Sequence, residues 1–175
     1  VNRLCGSGLQ AIVSAAQLLM LGDASITLAG GVEVMSNSAH IIQGFRWGNR
    51  MGDGTVHDMM LGALHDPFGH GHMGITAENI SDRYGISRDN QDEFALTSQK
   101  RASKAINEGF FKDQILPIEI KTRKGINIFE VDEHPKPETT IETLSNLRTA
   151  FKNEGVVTAG NASGINDGAA ALVLA

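Results

Sequence analysis

A single cysteine, Cys5, lies in VNRLCGSGLQA at the start of a 175-residue chain. A thiol attacks carbon as its thiolate, and the unpaired N–H groups and dipole of a helix N-terminus favour that charged form. The residues around Cys5 predict strand, tight turn and helix, which would hold the sulfur at a sharp bend in the manner of other nucleophile elbows. Gly6 and Gly8 carry no side chain and would let a substrate approach closely. The blander reading is a small buried hydrophobe, the commoner fate of a lone free cysteine. Spacing by itself favours the blander reading.

Two other clusters offer chemistry. HDPFGHGH brings together His65, Asp66, His70 and His72, and imidazoles with a carboxylate are zinc or non-haem iron ligands. Their spacing is not helical, so one ion would have to be met from a loop or strand, and a His-rich metal-binding module stands as an alternative function. Between residues 100 and 124, Lys100, Arg101, Lys104, Lys112, Lys121, Arg123 and Lys124 outnumber Glu108, Asp113 and Glu119. That local excess suits a ligand carrying phosphates, although a solvated helix face and hairpin edge show the same pattern.

The elements that must position these residues follow from periodicity. Val1 reads as the end of a strand. From Gly8 to Leu21 the chain is apolar on nearly every face, which predicts a helix buried all round, stopped at Gly22. SITLAGGVEV, Ser25 to Val34, predicts a buried strand broken at Gly30 and Gly31. Residues 35 to 72 lack sustained periodicity and read as loops, with a short helix near His57 to Leu64. MGITAENISDRYG predicts a helix ending at Gly85. Ser87 can cap the next one, with Asp89, Asp92 and Glu93 near its positive end, Phe94, Ser98, Ala102, Ala105 and Ile106 along one face, and Gly109 at its end. ILPIEIKTRKGINIFEVDE alternates as a hairpin turning at Lys124-Gly125. Thr139 with Glu142 matches a capping box ahead of Ile141, Leu144, Leu147 and Phe151. A Gly/Asn/Ser loop then feeds a final strand, Ala169 to Ala175. The whole is an α/β pattern.

Composition excludes some function classes. With 15 Lys and Arg against 20 Asp and Glu, the formal charge is −5, so no global basic field holds nucleic acid or an anionic membrane. One cysteine cannot form an internal disulfide, which points to a reducing compartment or to a thiol with its own job, and the chain is expected to be cytoplasmic. The longest apolar stretch, near Ala15 to Leu21, is too short to span a bilayer, and nothing resembles a signal peptide. The chain lacks an initiating Met and both ends read as core strands, so it is expected to be a piece of something longer.

VNRLCGSGLQAI is similar to the nucleophile motif of thiolases, the acyl-CoA C-acyltransferases. AGGVEVMS, RWGNRMGD, HMGITAEN, the DEHPKP loop and VTAGNASGINDGAA resemble successive thiolase segments, in the family's order and spacing, over essentially the whole chain. RWGNRMGD and LGALHDPF further resemble broad-specificity bacterial β-ketothiolases. The resemblance implies a thiolase-like α/β fold: residues 1–34 as part of the N-terminal layered domain, 35–165 as the inserted loop domain, and 166–175 as a return strand.

The resemblance also implies roles. Cys5 would be the acyl-accepting nucleophile in reversible Claisen condensation and thiolysis of 3-ketoacyl-CoA, within fatty acid metabolism. His72 would line the cavity beside the pantetheine arm, with Met73 and Leu64 as apolar wall. Ser163 would hydrogen-bond the pantetheine, with Ala159, Ala162 and Gly164 giving it room, and Phe151 would pack near the coenzyme. Lys136 stands where the family often has an Arg near the adenine nucleotide, which keeps the charge and removes a flat stacking surface. Coenzyme A and acyl-CoA would be substrates and partners, with no tightly bound cofactor, no metal, no nucleic acid and no membrane. The parent protein would be a homotetramer, a dimer of dimers, in which the RWGNRMGDGTVHDMM region contacts other subunits or caps the neighbouring active site. The family's GHP, NEAF and CxGGG motifs do not occur in these residues, so the chain alone is expected to be inactive. A non-catalytic coenzyme A-binding or interaction fragment is the remaining alternative.

Overall fold

The computed structural model describes all 175 residues, Val1–Ala175. In chain order the elements are α1 (Ser7–Met20), β1 (Thr27–Val34), β2 (His40–Ile42), β3 (Val56–Asp58), α2 (Met59–Ala63), β4 (His65–Asp66), β5 (Gly71–His72), α3 (Met73–Tyr84), α4 (Arg88–Asn107), β6 (Ile118–Thr122), β7 (Gly125–Phe129), α5 (Ile141–Ser145) and β8 (Asp167–Leu174). They form two compact units, Val1–His72 with Ile165–Ala175, and Met73–Gly164. No helix is long and apolar enough to cross a membrane.

In the first unit, β1 pairs antiparallel with β8, from Thr27 opposite Leu174 to Val34 opposite Asp167. Two expectations change here. The strand runs unbroken through Gly30 and Gly31 and is largely exposed, with only Ala29 buried. Gly30 stands at a close approach, where a Cβ would lie 2.8 Å from the Ala170 carbonyl, whereas one at Gly31 would make an ordinary contact with the Gly8 Cα at 3.5 Å. The helix α1 is also not buried all round. Only Ala15 is fully covered, while Leu9, Met20 and Leu21 are exposed, since a two-stranded ladder gives a helix one face to pack on.

No strand precedes α1 within the chain. Arg3 and Cys5 make only an isolated bridge within the turn. The stretch expected as loop holds two short ladders, β2 with β3 and β4 with β5. The helix expected near His57 begins at Met59, where the Asp58 side chain caps it by accepting the N–H of Met60 at 2.8 Å.

In the second unit the local signals hold. Gly85 and Gly109, both at positive φ, follow α3 and α4 closely. Ser87 caps α4 by accepting the Asn90 N–H at 3.2 Å. The alternating isoleucines form the β6–β7 hairpin, closed through Thr122 and Gly125. Phe94, Ser98, Ala102 and Ala105 line an open groove along α4 together with Phe111.

The cap of α5 shifts by one residue. Thr139 is occupied in the preceding turn, where its hydroxyl donates to the Lys136 carbonyl at 2.7 Å. Thr140 caps instead: its hydroxyl accepts the Thr143 N–H at 3.2 Å, and the Thr143 hydroxyl accepts the Thr140 N–H at 3.0 Å. The helix is short, so Leu147 and Phe151 lie beyond its end. Its last turn closes where Arg88 donates to the carbonyls of Leu144 and Leu147.

Candidate active site

Cys5 is exposed, one residue before the Gly6 N-cap of α1. The turn that presents it is strained and heavily bonded. Leu4 has φ +50°, a left-handed conformation that costs a non-glycine residue about 1–2 kcal/mol. The N–H groups of Gly6 and Ser7 donate to the carbonyls of Arg3 and Leu4 at 3.0 and 3.1 Å. Asn2 Oδ1 accepts the Leu4 N–H at 3.0 Å, and Ser7 Oγ accepts the Arg3 N–H at 2.8 Å while donating to the Leu4 carbonyl at 2.7 Å. Arg3 reaches forward to Gln10 Oε1 at 2.7 Å. No side chain caps α1, and the N–H of its first residue, Ser7, is taken by the Leu4 carbonyl, so what the helix end turns toward the sulfur is the positive end of its dipole.

Leu64 is half-buried at the C-cap of α2. His72, also half-buried, ends β5 directly opposite His65, and the two rings meet edge to face at 5.3 Å. His65 is anchored by Nδ1 to the Leu61 carbonyl at 2.7 Å. His70 Nε2 stands 4.0 Å from Asp66 Oδ2 with its ring well exposed. The four residues of the His-rich segment do not converge, and no group of three His, Cys, Asp or Glu side chains is arranged to hold a metal ion.

The remaining candidates belong to the second unit. Met73 is exposed at the first position of α3. Phe151 lies against Gly74, the next residue: a Cβ there would fall within the phenyl ring. Ala159, Ala162 and Ser163 are exposed and Gly164 half-buried on one loop, which follows the buried Val157 and Thr158. Lys136 is exposed on a separate segment, its N–H donating to Gln99 Oε1 at 2.9 Å. The cations expected between residues 100 and 124 are all exposed, and Lys104 pairs with Glu108 at 3.8 Å.

Sequence reasoning missed the groups that shape the loop. Glu78 and Asp92 are each 1 % exposed. Glu78 accepts the N–H groups of Val156 and Val157, and Asp92 accepts from Arg88 Nε at 2.7 Å and from Asn161 Nδ2 at 2.9 Å. Carboxylates on polar helices read as solvent-facing, and the one available signal was their position within HMGITAEN and near the start of α4.

A family model described as Thiolase, N-terminal domain, matches residues 1–175. The chain belongs to the thiolase family. This thiolase chain is 58% identical over 175 residues to the Beta-ketothiolase BktB of Cupriavidus necator, covering 99% of this chain and 44% of that protein. It is 51% identical over 176 residues to an acetyl-CoA acetyltransferase of Thiocystis violacea, covering 99% of this chain and 45% of the relative. A crystal structure of human mitochondrial 3-ketoacyl-CoA thiolase in complex with CoA superimposes with a TM-score of 0.91 at 41% identity, over 99% of this chain and 43% of that one. The fold is therefore the thiolase α/β fold, and the chain spans less than half the length of these relatives.

Proposed function

We propose that the complete protein is an acyl-CoA C-acyltransferase working through an acyl-cysteine on Cys5. The observation that carries this reading is the placement of Cys5: exposed, held by a left-handed Leu4 in a stitched turn, beside the uncapped N-terminus of α1. The Cys5 sulfur attacks the thioester carbonyl carbon, forming a new carbon–sulfur bond while the coenzyme A thiolate leaves with the electron pair. In the return step the acyl group passes to free coenzyme A or to the α-carbon of a second acyl-CoA. The relative whose structure contains CoA supports coenzyme A binding, and the motif resemblance is what assigns Ser163, Ala159, Ala162, Gly164, Phe151, Met73, Leu64, His72 and Lys136 the roles given above.

The family resemblance assigns the acid–base groups of the return step to a second domain. We accordingly propose that the 175 residues alone do not turn over and that the complete protein is a cytoplasmic homo-oligomer; thiolysis by clean fragment would refute the first, a monomeric mass in solution the second. The deciding experiment is intact-mass spectrometry of the complete protein after incubation with acetyl-CoA. An acetyl adduct is expected on the unaltered protein and absent in Cys5→Ala. An adduct that survives the substitution overturns the assignment.

A further inference from the structure

The buried acidic groups of the second unit serve no step of the proposed reaction directly. Burying a carboxylate is costly unless its oxygens are satisfied, and a hydrocarbon side chain would fill the same space without that cost. Glu78 on α3 is satisfied by one loop. The Val156 N–H lies 3.0 Å from each carboxylate oxygen and the Val157 N–H 2.9 Å from Oε1. A Cβ at Gly155 would collide with the same carboxylate, so the chain enters the loop pressed against it.

The loop is then closed on itself. Asn161 Oδ1 accepts the Thr158 N–H at 2.8 Å, and its Nδ2 donates to the Val156 carbonyl and to Asp92 Oδ1, both at 2.9 Å. Thr158 Oγ1 accepts the Gly160 N–H at 3.2 Å. These bonds turn the backbone amides inward and leave Ala159, Ala162 and Ser163 on the exposed side.

We infer that Glu78, with Asn161 as the loop's second tether, to Asp92, is a positioning residue that sets the shape of the Val156–Gly164 loop for coenzyme A. This rests on the coenzyme A reading proposed above. Glu78 touches no substrate; it acts through the two amides it binds. Replacing it by Gln keeps the outline, and a carbonyl oxygen at the Oε1 position still accepts both amides, but the NH2 group then stands where Oε2 accepted the Val156 N–H, so that amide loses one of its two acceptors and faces a donor.

The test uses the complete protein. Glu78→Gln is expected to raise KM for coenzyme A about tenfold, with kcat at saturating coenzyme A and the rate of Cys5 alkylation by iodoacetamide within about twofold of the unaltered protein. Asn161→Ala, at a half-buried position that tolerates truncation better, is expected to raise KM about fivefold and carries the test if Glu78→Gln does not fold. Ser163→Phe, which obstructs the loop directly, is the control. If Ser163→Phe raises KM and neither of the other two does, the inference is overturned while the coenzyme A reading stands. If Ser163→Phe also leaves KM unchanged, the coenzyme A reading fails and the inference with it. A rise in KM accompanied by parallel changes in kcat and alkylation rate in Glu78→Gln and Asn161→Ala would mark a role in the fold alone and equally overturn it.

Discussion

Ser36 and Asp167, 131 positions apart, are joined by two hydrogen bonds: the Ser36 N–H donates to one carboxylate oxygen at 2.9 Å and its hydroxyl to the other at 2.5 Å. The contact ties the turn after β1 to the first residue of β8, so it pins the register of the ladder at one end. Donation by the Ser36 hydroxyl, then by its N–H, holds the Asp167 carboxyl below its ordinary value of 3.8. A depressed folded-state value means the contribution to stability is present above the unfolded value and fades as pH falls through the folded one. In Asp167→Asn the contribution is missing at every pH. Urea midpoints of the complete protein should therefore separate the two forms at about pH 7 and converge toward about pH 3. An equal gap at both ends of that range would contradict this.

Gly74→Ala should force Phe151 out of place, because the added methyl falls within its ring. Overpacking of this kind costs about 1–3 kcal/mol. A denaturant midpoint shifted by that amount, accompanied by a higher KM for coenzyme A, is the expected result; an unshifted midpoint would show that the ring moves aside freely.

Arg88→Ala should be among the most damaging single changes in the second unit. It strands Asp92 with one oxygen unpaired and also removes the donor to the carbonyls of Leu144 and Leu147. Breaking one side of a buried ion pair costs about 3–5 kcal/mol. Chemical denaturation should register that loss, and a change below about 1 kcal/mol would mean that water or another group replaces the guanidinium.

At α5 the two threonines separate cleanly. Thr140→Ala removes the cap and should cost about 1 kcal/mol. Thr139→Ala removes a half-buried residue's methyl and a hydroxyl that donates within a turn, leaves the helix cap in place, and should cost less than about half of that. Comparing the two midpoints decides which residue begins the helix.

Features written into neighbouring residues are legible in the amino-acid sequence. The bend at Cys5, the Ser87 cap, the left-handed glycines after the helices and the hairpin from Ile118 to Phe129 each depend on residues a few positions apart. The run of motifs from VNRLCGSG to NASGINDG likewise marks the family. Burial is less legible. The apolar composition of α1 describes what the helix is able to bury, whereas the exposure of Leu9 and Met20 depends on which layers cover it in this chain.

The bend at Cys5 is therefore determined by neighbouring residues, since steric limits on φ and short-range hydrogen bonds act between adjacent residues, whereas the exposure of its thiol was decided by the tertiary structure. Only the tertiary structure decided that Glu78 serves Val156 and Val157, that Asp92 serves Asn161, and that Asp167 serves Ser36. Each of these pairs spans 69 or more positions. A carboxylate's partner at that separation is set by how the chain packs, which no local periodicity encodes.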